Sequence, residues 1–217
     1  MQRSLPTPRD SEAKLQHILL ISARIFAQQG FEGASVRDIS RATGISLSGL
    51  YYYFESKQKL LYLIQNNTFM FVVQRLQSRL QDIQEPQLRL RILVQNHMEY
   101  FLSHPHEMKV LAQEEEALDA PYRDEVADLK RRYYAQAREI FDALAGEGMS
   151  PGLNPRVAVL SLFGMMNWVY KWHNPKIDVG AEELTDAIVG IFLRGVLAAP
   201  VEEKALFAAG SPAITSD

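Results

Sequence analysis

The sequence predicts an all-α protein with a small three-helix head at its N-terminus and a larger helical body after it. Along most of the 217 residues, apolar side chains recur at intervals of three and four, which is the spacing of one buried helix face. Serines and glycines stand where these stretches begin and end, as helix-capping residues do. No stretch alternates apolar and polar residues in the manner of a half-buried strand.

The head begins with a helix and continues with a helix-turn-helix pattern. The stretch EAKLQHILLISARIFAQQG has one apolar stripe and ends in Gly30. Ser35 is a good cap for a second short helix, with Asp38 three residues later and Gly44 at its end. A third short helix begins on Ser46 in the same way. Two short helices joined by a tight turn with a glycine predict a helix-turn-helix.

The third short helix contains three consecutive tyrosines in LSGLYYYF, residues 47–54. Helical spacing separates an inward apolar set from an outward set of small and aromatic residues. The inward set is Phe26, Phe31, Ile39, Ala42, Ile45, Leu50 and Phe54. The outward set is Ser48, Gly49, Tyr51 and Tyr52, with Tyr53 at its flank. Exposed tyrosines on so short a helix fit a DNA groove, where rings pack on sugars and thymine methyls and hydroxyls bind phosphates.

The charge is unevenly distributed between head and body. Residues 1–60 contain 8 Lys and Arg against 5 Asp and Glu, a balance of +3, while residues 61–217 contain 15 against 21, a balance of −6. A basic head on an acidic body is consistent with DNA contact confined to one end. A difference of this size is also common among unrelated domains.

The body is predicted to consist of six helices divided by proline and glycine. Ser56 caps a long helix over residues 57–84, and Pro86, Pro105, Pro121 and the GEGMSPGLNP turn divide the next stretches. The further helices are expected at 87–103, 105–117, 121–146, 154–173 and 181–198. These boundaries give a helix-turn-helix domain at 1–56, a helical domain at 57–199 and a disordered tail at 200–217, rich in Ala, Gly, Ser and Pro.

The head resembles the DNA-binding domain of the TetR family of transcriptional regulators. The resemblance rests on FEGASVRDISRATGISLSGLYYYFESKQKLL, within residues 14–62. It implies that Ser35 caps the second helix and holds a phosphate, and that Tyr51, Tyr53 and Lys57 bind the DNA backbone. The residues implied to face the bases are Ser46, Leu47, Ser48, Gly49 and Tyr52. Many members have Lys or Arg where this chain has Leu47, which suggests contact with a thymine methyl instead of a guanine.

The resemblance also implies how such a protein acts. It implies a homodimer on palindromic operator DNA, with half-sites about 34–36 Å apart or multiples of that distance. It further implies a repressor that leaves its operator when a small molecule enters the body. A constitutive architectural DNA binder would need no pocket, and therefore an apolar cavity in the body distinguishes the two.

The two last helices are expected to form half of an intersubunit four-helix bundle. The stretch VAVLSLFGMMNWVY, residues 157–170, is apolar nearly all round, and such a helix must be covered on several sides. Helix 181–198 offers a partner face, with glycines that allow close approach. The predicted interface residues are Leu160, Phe163, Gly164, Ile188, Ile191, Phe192 and Gly195.

The string GMMNW…W…P in helix 154–173 resembles that of TetR regulators that respond to acyl-coenzyme A thioesters, the FadR- and PaaR-like sensors of fatty-acid or aromatic-acid breakdown. This resemblance implies a small apolar ligand, an acyl-CoA thioester being the first hypothesis. Efflux regulation with a lipophilic drug as ligand is the alternative. The predicted ligand-binding residues are Phe69, Phe101, Met108, Leu111, Met166, Asn167, Trp168 and Trp172. For the two tryptophans, a place in the dimer core is an equally open interpretation.

Other classes of protein find little support in the sequence. There is no cysteine, which excludes disulfides and thiolate metal sites and fits a reducing cytosol. His97, His104 and His106 lack helical zinc-site spacing, and we interpret them as surface or satisfied histidines. Neither a nucleophile elbow nor a phosphate-binding loop occurs, and the expectation is therefore no enzyme, no cofactor and no metal. Without a signal peptide or membrane span, a cytoplasmic location is expected.

Overall fold

The structure is a computed structural model that describes residues 8–114, 116–146, 148 and 153–197. Within these ranges the chain forms nine α-helices and no strand. They are α1 (Pro8–Gln29), α2 (Val36–Thr43), α3 (Leu47–Tyr51), α4 (Lys57–Leu80), α5 (Pro86–Ser103), α6 (Pro105–Gln113), α7 (Ala120–Ala145), α8 (Pro155–Trp172) and α9 (Ala181–Val196). The all-α fold and the order of its helices are as predicted. The predicted tail at 200–217 lies outside the described residues.

Polar side chains start the helices where the sequence indicates caps. Ser35 and Asp38 form a reciprocal capping box on α2, and Ser46 Oγ accepts a hydrogen bond from Gly49 N at 3.2 Å on α3. Ser56 Oγ accepts from Lys59 N at 3.0 Å on α4. Gly44 ends α2 with a φ of 70°, a left-handed conformation that glycine adopts without strain. These local signals set the helix-turn-helix geometry.

Two apolar cores hold the helices together. The first core joins α1, α2 and α3 to the start of α4 and also includes Val110, Leu118 and Val126 from the body. The second core joins α4 to α9 and is centred on α5. Each fully buried Leu or Phe stabilises the fold by about 1.5–3 kcal/mol. The first core contains residues from both sides of position 57, and the head is therefore packed on the body. The predicted domain boundary between residues 56 and 57 stays a prediction.

Three details differ from the sequence-based expectation. Helix α4 ends at Leu80 rather than at residue 84, and Asp82 has a φ of 63° in the turn that follows. Helix α6 ends at Gln113, since Glu114 leaves the helical conformation to contact the head. Ala42 is exposed rather than part of the head core, although it stands one helical turn after the buried Ile39.

Candidate DNA-binding surface and ligand cavity

Helix α3 presents a continuous outer surface of small and aromatic side chains. Leu50 and Phe54 lie in the first core and fix the orientation of the helix. On the opposite side, Tyr51 and Tyr52 are 52% and 75% exposed, and the Tyr52 ring meets the Tyr53 ring edge-on with centroids 5.1 Å apart. Three further exposed residues continue this surface at the start of the helix: Ser46, Leu47 and Ser48.

Gly49 is required by the packing of α3 itself. A Cβ at this position would lie 2.9 Å from Ile45 Cγ2 and 3.2 Å from Ser46 Oγ, closer than side-chain carbons normally approach. An added Cβ would therefore point toward the turn between α2 and α3, while the glycine itself is partly exposed. Glycine there allows the tight turn, and its predicted contact with bases is limited to its backbone.

Two predicted phosphate contacts have partners inside the head. The Ser35 N–H and hydroxyl both donate to Asp38 Oδ2, at 3.0 and 2.5 Å, and these bonds lower the pKa of the Asp38 carboxyl. The Lys57 ammonium donates to the carbonyls of Phe31 and Ala34 at 2.8 and 3.2 Å and lies 4.3 Å from the Phe31 ring centroid. The structure thus makes Lys57 and Ser35 structural parts of the head, with one ammonium proton of Lys57 left for a phosphate.

A cavity of about 560 Å³ lies within the body. Helices α4 to α8 all contribute to its lining. Its volume falls in the usual range of small-molecule sites, roughly 300–1,000 Å³. Its floor consists of buried residues, namely His97, Phe101, Met108, Leu111 and Tyr133, and its rim of exposed ones, namely Ala112, Leu160, Gly164, Asn167 and Trp168.

Six of the eight residues predicted from sequence to bind a ligand line this cavity. They are Phe69, Phe101, Met108, Leu111, Asn167 and Trp168. The other two do not: Met166 is buried on the side of α8 that faces Met98, beside a small cavity of about 90 Å³, and Trp172 lies exposed at the end of α8, beyond the rim. Leu160, Phe163 and Gly164, predicted for the dimer interface, also line the cavity.

A larger groove is less suited to an apolar ligand. It measures about 1080 Å³ and lies between α4, α5 and α7. Its lining is mostly polar and includes Gln77, Gln81, Arg89 and Arg132. An apolar chain would leave these groups desolvated without partners, and the smaller cavity is therefore the candidate ligand site.

The cavity floor contains a buried polar network centred on His97. The His97 side chain is 2% exposed, and burial lowers its pKa to about 3. Its Nδ1 lies 3.3 Å from the Tyr133 hydroxyl, and burial raises the pKa of that hydroxyl. His97 Nε2 has no hydrogen-bond partner within the described residues. His97 is therefore buried rather than at the surface, and one of its two ring nitrogens has a partner within the described residues.

The outer faces of α8 and α9 form an exposed apolar strip. Val157, Leu160 and Trp168 are exposed on α8, and Ile191 is 62% exposed on α9. Gly195 is exposed beside it, and nothing stands within 4 Å of the Cβ position of either Gly195 or Gly164. An apolar strip of this size on two adjacent helices is typical of a protein interface.

Two predicted interface residues face the opposite way. Ile188 and Phe192 are buried within the single chain, and the Phe192 ring packs edge-on against Phe141 with centroids 6.2 Å apart. Helix α9 has apolar residues on two faces, and its packing on α5 occupies the face with Ile188 and Phe192. The prediction of an interface role for these two residues is corrected accordingly.

Helix α6 links the cavity to the head. Its residues Met108 and Leu111 are on the cavity floor, while Val110 lies in the first core against α1. At its end, Glu114 Oε1 accepts a hydrogen bond from Phe31 N at 3.1 Å, and Glu114 O accepts one from Gln65 Nε2 at 3.1 Å. The side chains that line the cavity and those that hold the head are therefore less than two helical turns apart.

The described part of the chain offers neither a metal site nor a membrane span. No group of three or more His, Asp or Glu side chains comes together there with the arrangement of a metal site. Among the same residues, no helix is long and apolar enough to cross a bilayer.

Family comparisons agree with this architecture. The model of bacterial regulatory proteins of the tetR family matches residues 18–62. The model of the tetracyclin repressor-like C-terminal domain matches residues 84–196, which is more than half of the chain. The chain belongs to the TetR family. It is therefore a DNA-binding transcriptional regulator whose C-terminal helices form the regulatory domain.

Several relatives of this TetR-family regulator align over nearly its full length. The transcriptional repressor KstR2 of Mycolicibacterium smegmatis is 25% identical over 88% of this chain and 94% of its own. The structure of AibR in complex with isovaleryl coenzyme A and operator DNA is 28% identical, with a TM-score of 0.74 over 82% of this chain and 97% of AibR. PfmR of Thermus thermophilus is 28% identical, with a TM-score of 0.75 over the same shares. KstR2 is a transcriptional repressor and PfmR a transcriptional regulator.

Sequence reasoning on this TetR-family chain missed the polar floor of the cavity. A signal for it was present, since His97 stands on the apolar stripe of α5 with Leu90, Leu93 and Phe101. A histidine in such a stripe is buried, and a buried imidazole needs two hydrogen-bond partners. What the stripe could not show is that the described residues supply only one of these partners.

Proposed function

We propose that this protein is a homodimeric repressor that binds palindromic operator DNA and is released by an acyl-CoA thioester. The cavity of about 560 Å³, with apolar residues beside His97 and Tyr133 on its buried floor and with an open rim, is the observation that carries this proposal. It gives an acyl chain a place to be buried and leaves the charged coenzyme outside. We further propose a regulatory rather than a catalytic role, exercised in the cytoplasm where operator DNA is found.

The proposed DNA contacts come from the outer surface of α3. Ser46, Leu47, Ser48 and Tyr52 would face the bases in the major groove, and Leu47 would contact a thymine methyl. The Tyr51 hydroxyl would bind a phosphate beside the groove, with Tyr53 and the remaining ammonium proton of Lys57 at the flank. The exposure of Tyr51 and Tyr52 supports these roles, because the fold leaves large parts of both rings open to solvent.

The proposed dimer interface is the exposed strip on α8 and α9. Two such strips related by a two-fold axis would form a four-helix bundle in which Val157, Leu160 and Ile191 are covered. The open positions of Gly164 and Gly195 allow close approach of the helices. The dimer would place two α3 helices on one side of the DNA, as successive major grooves require.

The proposed release mechanism passes through α6. A ligand on the cavity floor must displace or reposition Met108 and Leu111, and the same helix holds the head through Glu114. Helix α4 provides a second connection, since it begins in the first core and reaches the cavity at Phe69. To reverse occupancy from 99:1 to 1:99, the ligand must favour the released form by about 5.5 kcal/mol. A buried acyl chain can supply much of this at about 0.8 kcal/mol per CH₂.

The test combines calorimetry with gel shifts on the operator. We expect an acyl-CoA panel to contain a thioester that binds the dimer and releases the DNA, while coenzyme A alone does neither. Ala112→Trp should block the rim and weaken ligand binding while DNA binding is kept. Ala135→Trp, on the exposed face of α7 away from the cavity, is the matched control. Release by a lipophilic drug but by no thioester would contradict the acyl-CoA proposal and would favour the alternative, a regulator of efflux genes.

A further inference from the structure

A second cavity lies at the junction of head and body. It is a groove of about 800 Å³ between α1 of the head and α4, α5 and α6 of the body, and none of the described residues that line it also lines the ligand cavity. Three of its apolar wall residues are open to solvent, since Leu20, Met70 and Phe71 are 50%, 39% and 50% exposed. Apolar side chains gathered in one groove, rather than scattered over the surface, are typical of a binding site.

Glu107 contributes a buried carboxylate to this groove. The residue is 8% exposed, and among the described residues nothing forms a hydrogen bond or ion pair with its oxygens. These oxygens are nevertheless reachable, because they do not belong to the described polar atoms that lack both a partner and contact with solvent. Glu107 stands in the first turn of α6, where the helix dipole stabilises a negative charge. The groove thus exposes a carboxylate that the described part of the chain does not pair.

Three aromatic rings stand beside this carboxylate in the lining. The Tyr100 and His104 rings are stacked with centroids 4.2 Å apart, and the Phe71 and Tyr100 centroids are 5.1 Å apart. Burial raises the pKa of the Tyr100 hydroxyl, and the negative charge of Glu107 raises it further because the two side chains are close neighbours. Aromatic faces attract cations, most strongly where the site is partly desolvated.

The charges around the groove favour a positively charged ligand. Glu12 on α1 and Glu107 on α6 are its carboxylates, and the described lining includes two histidines but no Lys or Arg. An uncharged apolar ligand would take the water from Glu107 and offer it no partner, while an anion would also be repelled. A ligand that is both apolar and positively charged replaces that water with an ion pair and with contacts to the aromatic rings.

We propose that the groove between α1 and α6 is a second ligand site and that it binds a lipophilic cation. The apolar part of the ligand lies against Leu20, Met70 and Phe71, and its positive charge lies beside Glu107 and the Tyr100 ring. The site is independent of the acyl-CoA function proposed for the ligand cavity, since an acyl-CoA is an anion and binds elsewhere. A cation in this groove contacts the head through α1 and the body through α6 at the same time.

The experiment compares two ions of similar size and shape but opposite charge. Calorimetry on the wild-type protein should show tetraphenylphosphonium binding about tenfold or more tightly than tetraphenylborate. Glu107→Gln should weaken tetraphenylphosphonium binding by about tenfold, and Phe71→Ala should weaken it as well. Glu183→Gln is the matched control, because Glu183 is an exposed acid in the first turn of α9, outside the groove, and it should bind as the wild type does. No binding of tetraphenylphosphonium, equal binding of the two ions, or unchanged affinity in Glu107→Gln would overturn the proposal.

Two further variants distinguish the groove from the ligand cavity. Asn67→Trp places a large side chain in the α4 wall of the groove and should abolish tetraphenylphosphonium binding, whereas Ala112→Trp at the rim of the ligand cavity should leave it unchanged. The reverse pattern would place the cation in the ligand cavity and refute the second site. Thermal unfolding of each variant without ligand checks that it is folded. If Glu107→Gln does not fold, Phe71→Ala decides the outcome, because half of that side chain is exposed; unchanged affinity in this variant would equally refute the site.

Discussion

Ile191→Glu is expected to convert the dimer into folded monomers. Ile191 is 62% exposed in the single chain. Covering it in a dimer stabilises the dimer by about 1–2 kcal/mol per side chain, and the two-fold symmetry makes this contribution twice. The variant loses this gain and places two carboxylates in an apolar contact, at a cost of several kcal/mol. A total of about 5 kcal/mol raises the dimer Kd by roughly 10³- to 10⁴-fold.

Sedimentation velocity over a concentration series measures this change directly. Leu20→Glu is the matched control, because Leu20 is similarly exposed but lies on α1 in the head, away from α8 and α9; it should sediment as the wild type does. Phe192→Ala should instead lower stability by about 3–5 kcal/mol, since it opens a cavity in the second core. If Ile191→Glu remained a dimer with unchanged dissociation, the strip on α8 and α9 would not be the interface.

Three further predictions concern the head, the cavity floor and the link between them. Tyr51→Phe should weaken binding to specific and random DNA by the same factor, about fivefold. Ser48→Phe should abolish only specific binding. Gel shifts in which both variants bind as the wild type does would contradict the assignment of α3 as the DNA-reading helix. Because the pKa of buried His97 is about 3, only the unfolded chain takes up its proton between pH 6.5 and 3. The free energy of unfolding should then fall by up to about 1.4 kcal/mol per pH unit as pH falls, and denaturant titrations of His97→Phe should show a shallower loss. Glu114→Ala should retain ligand binding but require more ligand for release from the operator. Calorimetry and gel shifts on the same variant measure the two effects, and a release curve equal to that of the wild type would show that α6 does not transmit the signal.

The head was predictable from sequence because its geometry depends on local chemistry. Ser35, Gly44 and Ser46 set the ends of two short helices through bonds to residues within four positions. Such signals are readable without knowing the rest of the fold. Gly49 marks their limit, since the helical wheel gave its direction from spacing alone and could not show that the nearby Ile45 side chain would crowd a Cβ at this position.

The body was predictable as a set of helices but not in the use of their faces. Helix α9 has apolar residues on two faces, so spacing alone could not distinguish Phe192, which packs on Phe141, from Ile191, which is left exposed. The choice is made by α5 and α7, which are distant in sequence. Lys57 shows the same effect in the head, because the carbonyls of Phe31 and Ala34 that engage its ammonium come from a loop more than twenty residues earlier.

The placement of α6 gives the cavity and the DNA surface a common physical element. Leu111 faces the ligand site, Val110 lies in the core of the head, and Glu114 holds Phe31 N. A ligand that shifts this nine-residue helix therefore acts at once on both cores, and the ligand's differential affinity for the two arrangements sets the change in DNA affinity.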